Sequence, residues 1–101
     1  MPSWVRLAAA NDLQPGQASE YVAAGRIIAL FNVNGAFHAL DGICPHQGGP
    51  LGKGTLAGSI VTCPWHGFQF DVTTGQHQTS KSLVHPSIRV KREAGAVWVE
   101  M

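Results

Sequence analysis

The sequence predicts an all-β domain of antiparallel strands, and three observations carry that prediction. Short runs rich in β-branched and aromatic residues recur along the chain. Turn residues separate them at close intervals, with twelve glycines and six prolines in 101 residues. No helical pattern lasts long enough to stand alone, since an isolated helix needs about 12–15 residues. Short strands at such spacing read as a sandwich or barrel.

The elements follow in order. Trp4 to Leu7 reads as a first strand, and Asn11-Asp12-Leu13-Gln14-Pro15-Gly16 as a turn-rich loop. Ala8 to Ala10 and the region Tyr21 to Ala24 hold helix formers, but each is too short to make a helix. Arg26-Ile27-Ile28-Ala29-Leu30-Phe31 is strongly β. Asn34-Gly35 then gives the strongest short-range hairpin signal, and Ala36 to Leu40 returns as the second arm. Ser59 to Thr62 is a strand that ends at Cys63. Phe68 to Val72 is a short strand closed by Thr74-Gly75. Ser87 to Lys91 and Ala96 to Glu100 form a last hairpin around Glu93-Ala94-Gly95.

The bulk numbers bound the function. A chain of 101 residues is read as one domain, 1–101, with one modest core. Charged residues make up 13% and the net charge is +1, so the basic footprint of a nucleic-acid binder is missing. Arg89, Lys91 and Arg92 fall close together and read as a solvated strand end. No apolar run approaches the roughly 18 residues that cross a bilayer. The start, Met1-Pro2-Ser3-Trp4-Val5-Arg6, does not read as a targeting segment. A soluble, cytoplasmic protein is therefore expected. In that compartment two cysteines are metal ligands or free thiols rather than a disulfide.

One region breaks the strand rhythm. From Asp41 to Gly54 there are five glycines and two prolines in fourteen residues. A loop this long inside a small domain usually carries function. It contains Cys44-Pro45-His46. A second motif, Cys63-Pro64-Trp65-His66-Gly67, begins after a gap of sixteen residues. Each motif offers one thiolate and one imidazole. Proline stiffens such a loop, and glycine lets its backbone approach an inorganic group closely. Two thiolates and two imidazoles suit tetrahedral zinc. They also suit a [2Fe–2S] cluster in which two histidines replace two cysteines on one iron. Zinc sites of this ligand set usually pair Cys with Cys and His with His. Here each short motif pairs Cys with His, which lets each loop give one ligand to each iron.

Cys-x-His, a gap of sixteen and Cys-x-x-His resembles the signature of the Rieske family. The resemblance extends through Asp41, Gly42, Pro45, Pro64, Trp65, Gly67, Phe70, Asp71 and Gly75, and covers nearly the whole chain. It implies one [2Fe–2S] cluster. Cys44 and Cys63 would bind the inner iron, and His46 and His66 the outer iron. It implies the Rieske fold, antiparallel β-sheets with a small cluster-binding lobe of two loops at about 41–75. The ring protons of His46 and His66 would couple to the electron, so the midpoint potential is expected to fall as pH rises through their ionisation. His38, His77 and His85 are read as surface residues.

The same resemblance narrows the branch. Rieske proteins of membrane complexes carry two further cysteines, which would fall at Gly49 and Trp65, and a membrane anchor; none of these is seen here. High-potential members place a serine and a tyrosine where this chain has Phe68 and Phe70. Hydrogen bonds to sulfur stabilise the reduced cluster. A low potential, toward about −150 mV, is therefore expected. The chain resembles ferredoxin components of bacterial aromatic-ring-hydroxylating dioxygenases. That likeness implies a one-electron carrier, not an enzyme, between a flavin-containing, NAD(P)H-dependent ferredoxin reductase and a terminal oxygenase. Thirty-five residues follow His66, too few for the oxygenase's own iron site, so no catalytic residues are expected. Pro45, Pro50, Leu51, Pro64 and Trp65 are candidates for an apolar docking tip. Two other readings stand beside this one: a small Rieske subunit of another redox enzyme such as nitrite reductase, and a zinc-stabilised interaction domain.

Overall fold

A computed structural model describes residues 3–42, 51–64, 69–76, 78 and 87–100. The described residues contain ten strands and two 3₁₀ turns, and no α-helix. The strands are β1 (Trp4–Ala9), β2 (Ala18–Ala23), β3 (Arg26–Val33), β4 (Ala36–Asp41), β5 (Thr55–Ala57), β6 (Ile60–Thr62), β7 (Gln69–Asp71), β8 (Ser87–Ile88), β9 (Val90–Glu93) and β10 (Ala96–Glu100). They form three antiparallel sheets in the orders β1-β10-β9, β2-β3-β4-β8 and β5-β6-β7.

The four-stranded sheet is the middle layer, and the alternation of its side chains shows why. Ala29, Phe31 and Leu40 point to one face, where they pack with Val61, Cys63, Phe70 and Val72 of the β5-β6-β7 side. Ile28, Leu30 and Ala39 point to the other, where they pack with Val97 and Val99 of β10. A strand covered on both faces needs apolar residues at consecutive positions. That is why residues 28–31 form an unbroken apolar run in which every side chain is buried. Full burial of one such large side chain stabilises by about 1.5–3 kcal/mol.

Three hairpin tips set the registers. Asn34 and Gly35 both take positive φ, at 52° and 94°, as the Asn-Gly signal requires. Ala94 and Gly95 do the same between β9 and β10, at 52° and 73°. Ala24 and Gly25 repeat it between β2 and β3, at 51° and 76°. That third turn has no asparagine to announce it, and β2 is absent from the sequence reading. Its helix formers sit in a strand because six consecutive residues pair with β3, Ala18 with Phe31 through Ala23 with Arg26. Ala8 and Ala9 likewise extend β1, while Ala10–Asp12 make a single 3₁₀ turn.

The cationic strand end is solvated and largely neutralised. Arg89 meets Glu100 at 3.7 Å, and Lys91 meets Glu93 at 2.8 Å while lying 4.6 Å from the centre of the Trp4 ring. His38 departs from its expectation. It is half-buried, because its register partner is the buried Phe31, on the face that packs toward Val72. His77 and His85 lie outside the described residues.

Candidate metal centre

The second motif grows out of the smallest sheet. β6 runs from Ile60 to Thr62 between β5 and β7, with Val61 fully buried. Cys63 follows directly. Its thiol is free, its residue is 1% exposed, and it packs in the same buried cluster as Val61 and Phe70. Pro64 is exposed beside it. The chain returns at Gln69, whose register partner is Thr62 and whose Nε2 donates to Thr62 Oγ1 at 3.2 Å. That pair closes the neck of the segment 63–68, which bears Cys63 and His66.

The turn after β7 is held by its own side chains. Asp71 Oδ1 accepts from the Thr73 amide at 2.9 Å and from Thr73 Oγ1 at 2.6 Å. Asp71 O accepts from the amides of Thr74 and Gly75, with Gly75 at a φ of 82°. Asp71 and Gly75 belong to the sequence pattern because this Asx-type turn needs an aspartate to accept and a glycine to turn left-handed.

The first motif lies on the connection from β4 to β5. Asp41 ends β4 and pairs with Arg26 at 3.3 Å. The Gly42 amide donates to Ile27 O at 2.9 Å. After the segment 43–50 the chain reappears in the 3₁₀ turn Leu51–Lys53 and enters β5 at Thr55. Thr55, Thr62 and Gln69 are successive partners across the three-stranded sheet. The β5-β6-β7 sheet thus brings the ends of both motif-bearing segments to one edge.

Of the four ligand candidates, Cys63 is described. Cys44, His46 and His66 lie outside the described residues, as do Pro45, Pro50, Trp65 and Phe68. Among the described residues no three His, Cys, Asp or Glu side chains gather as a metal site. Sequence reasoning passed over Asn32, Ile27 and Gly52. Asn32 had a weak signal in its place two residues before Asn34-Gly35. The other two had none, since their roles lie in contacts between distant strands.

The family model for the Rieske [2Fe-2S] domain matches residues 3–90. The chain is 34% identical over 98 residues to ferredoxin CarAc of Metapseudomonas resinovorans, covering 95% of this chain and 92% of that one. It is 41% identical over 91 residues to human apoptosis-inducing factor 3, covering 88% of this chain but spanning only 15% of that relative's length. Among solved structures, it superposes with a TM-score of 0.87 and 32% identity on a chain of the complex of reduced oxygenase and oxidized ferredoxin in carbazole 1,9a-dioxygenase, covering 95% of this chain and 91% of that chain. No helix of the described residues is long and apolar enough to cross a membrane.

Proposed function

The chain belongs to the Rieske [2Fe–2S] family, and from that premise we propose that it is a soluble, cytoplasmic one-electron carrier serving a multicomponent oxygenase. It takes electrons from a flavin-containing reductase and delivers them to a terminal oxygenase. One Rieske-type [2Fe–2S] cluster does the carrying, held by Cys44, His46, Cys63 and His66.

The observation that carries this reading is mutual coverage. A ferredoxin of the family and this chain match over nearly all of both lengths. The chain spans only 15% of the length of apoptosis-inducing factor 3, so the carrier role rests on the likeness to the ferredoxins. The described part of the centre fits the group. Cys63 is buried, free of any disulfide and placed at the end of a strand whose partner residues are fixed. A thiolate needs such a site, shielded from oxidation and held by packing, to act as a permanent ligand. The donor set of two thiolates and two imidazoles suits a cluster with unlike irons. When bound, the cluster supplies a reversible one-electron couple. The protein's own part is to hold the ligands and exclude water from the cysteine side.

The test is electron paramagnetic resonance of the dithionite-reduced, iron-quantified protein. The expected result is a rhombic signal whose average g lies below that of all-cysteine clusters. Silence from a sample with full metal content would mean zinc or another centre and would end the carrier reading.

A further inference from the structure

Resting on that cluster assignment, we propose that Gly42 and Gly52 are positioning residues for the electron-transfer centre, seating both ends of the Cys44–His46 segment on the β2–β3 hairpin. The observation is one of close approach. A Cβ built on Gly42 would lie 2.5 Å from Ile27 Cγ2 and 2.9 Å from both Ile27 C and Ile27 O. One built on Gly52 would lie 2.8 Å from Ser19 O and 3.0 Å from Glu20 Cα. Real Cβ atoms essentially never come closer than 3.0 Å. At each site at least one of the opposing atoms belongs to the backbone, which cannot swing aside as the end of a side chain can.

Five other described glycines differ from these two. Gly16, Gly25, Gly35, Gly58 and Gly95 have nothing within 4 Å of such a Cβ, and they are needed for positive φ. Neither Gly42 nor Gly52 has a positive φ. The requirement at these two is space. Gly42 directly precedes the segment 43–50, and Gly52 follows it by one residue. Each has an ion pair beside it to the same hairpin, Asp41 to Arg26 at 3.3 Å and Lys53 to Glu20 at 3.8 Å. The two motif-bearing segments therefore have separate supports. Gly42 and Gly52, which flank the first, lie against β3 and β2 of the four-stranded sheet, and Thr62 and Gln69, which flank the second, are partners across β6 and β7 of the three-stranded one. Relative placement of the two ligand pairs depends on how tightly the first segment sits. A methyl group at either glycine lifts one end of it.

The experiment compares holoprotein of the wild type, Gly42→Ala, Gly52→Ala and Gly95→Ala. The last strains a hairpin tip in the β1-β10-β9 sheet and serves as a destabilised control. Three readouts are taken: strand circular dichroism, g values with midpoint potential, and bleaching of the cluster under a chelator. The expected result is that Gly42→Ala and Gly52→Ala keep the strand signal, shift the g values and midpoint, and retain the cluster about 10-fold more weakly, the scale typical of groups behind metal ligands. Gly95→Ala keeps wild-type g values. In the Gly42→Ala background, Ile27→Ala removes the nearest atom and recovers part of the shift; in the Gly52→Ala background it recovers nothing. Wild-type g values, midpoint and bleaching in both glycine variants would overturn the proposal, even with a lower Tm. So would loss of the strand signal in both, which would make the glycines requirements of the whole fold. A wild-type spectrum without mixed Cys/His character would instead defeat the cluster assignment, so the two failures are distinguishable.

Discussion

Two buried residues illustrate what single side chains do here. Asn32 is 3% exposed, the one polar side chain in the described core. Its Nδ2 donates to Leu13 O at 2.7 Å, and its Oδ1 accepts from the Gly35 amide at 2.8 Å. It ties the first loop to the β3–β4 tip. Asn32→Ala strands the carbonyl of buried Leu13, at a cost of about 1–3 kcal/mol, and loosens the tip that the Gly35 amide helps to hold. The expected loss is about 2 kcal/mol or more by denaturant titration, with the g values unchanged. Phe70 is fully buried in the cluster of side chains that includes Cys63. Phe70→Tyr adds a hydroxyl beside that sulfur environment, and a hydrogen bond to sulfur favours the reduced centre. The expected outcome is a raised midpoint in a redox titration with little change in Tm. An unchanged or lowered midpoint in protein that holds its cluster contradicts this, and a lost kilocalorie or more would show the hydroxyl buried without a partner.

At the scale of elements, the hairpin tips differ in how well their residues suit them. Asn34-Gly35 is the preferred pair for two positive φ angles. Ala24 adopts the same conformation at 51° without the asparagine side chain that eases it. Ala24→Asn is expected to stabilise by about 0.5–1 kcal/mol, read as a higher Tm; a lower Tm would show that the turn is held by something other than its own conformation. This mismatch also explains what was legible. The sequence announces β3, β4 and β10 because their apolar runs and turn residues agree. It hides β2, whose alanines and glutamate are weak strand formers. It hides β5 too, three residues long, although the Gly58-Ser59 turn with Gly58 at a φ of 60° is a hairpin signal.

At the scale of the whole molecule, the three layers are held by apolar burial rather than charge. The described ion pairs are Arg26–Asp41, Lys53–Glu20, Arg89–Glu100 and Lys91–Glu93, each with at least one well-exposed partner. Such exposed pairs contribute little to stability and are screened by salt. Molar NaCl is expected to move the Tm of the holoprotein by less than about 4 °C; a larger fall would give charge a bigger share. One titration is assigned. The hydrogen bond from Lys91, and then its positive charge, hold the Glu93 carboxyl below the usual carboxylate range. Its small contribution is therefore complete at neutral pH. It fades only as pH falls through that lowered value, and Glu93→Gln abolishes this part of the acid dependence.

By itself the sequence determined the family signature and most of the strand pattern. Two Cys/His motifs, their spacing and the glycines and prolines around them are local, so they are readable from consecutive residues. The Asn-Gly tip and the unbroken run at 28–31 are local in the same way. What only the tertiary structure decided is the support. The pairing that makes a strand of Ala18–Ala23, the half-buried place of His38, the tie from Asn32 to Leu13 and the seats of Gly42 and Gly52 all join residues far apart in the chain. No periodicity records such contacts, because each depends on which sheets meet across the core and how closely their backbones approach.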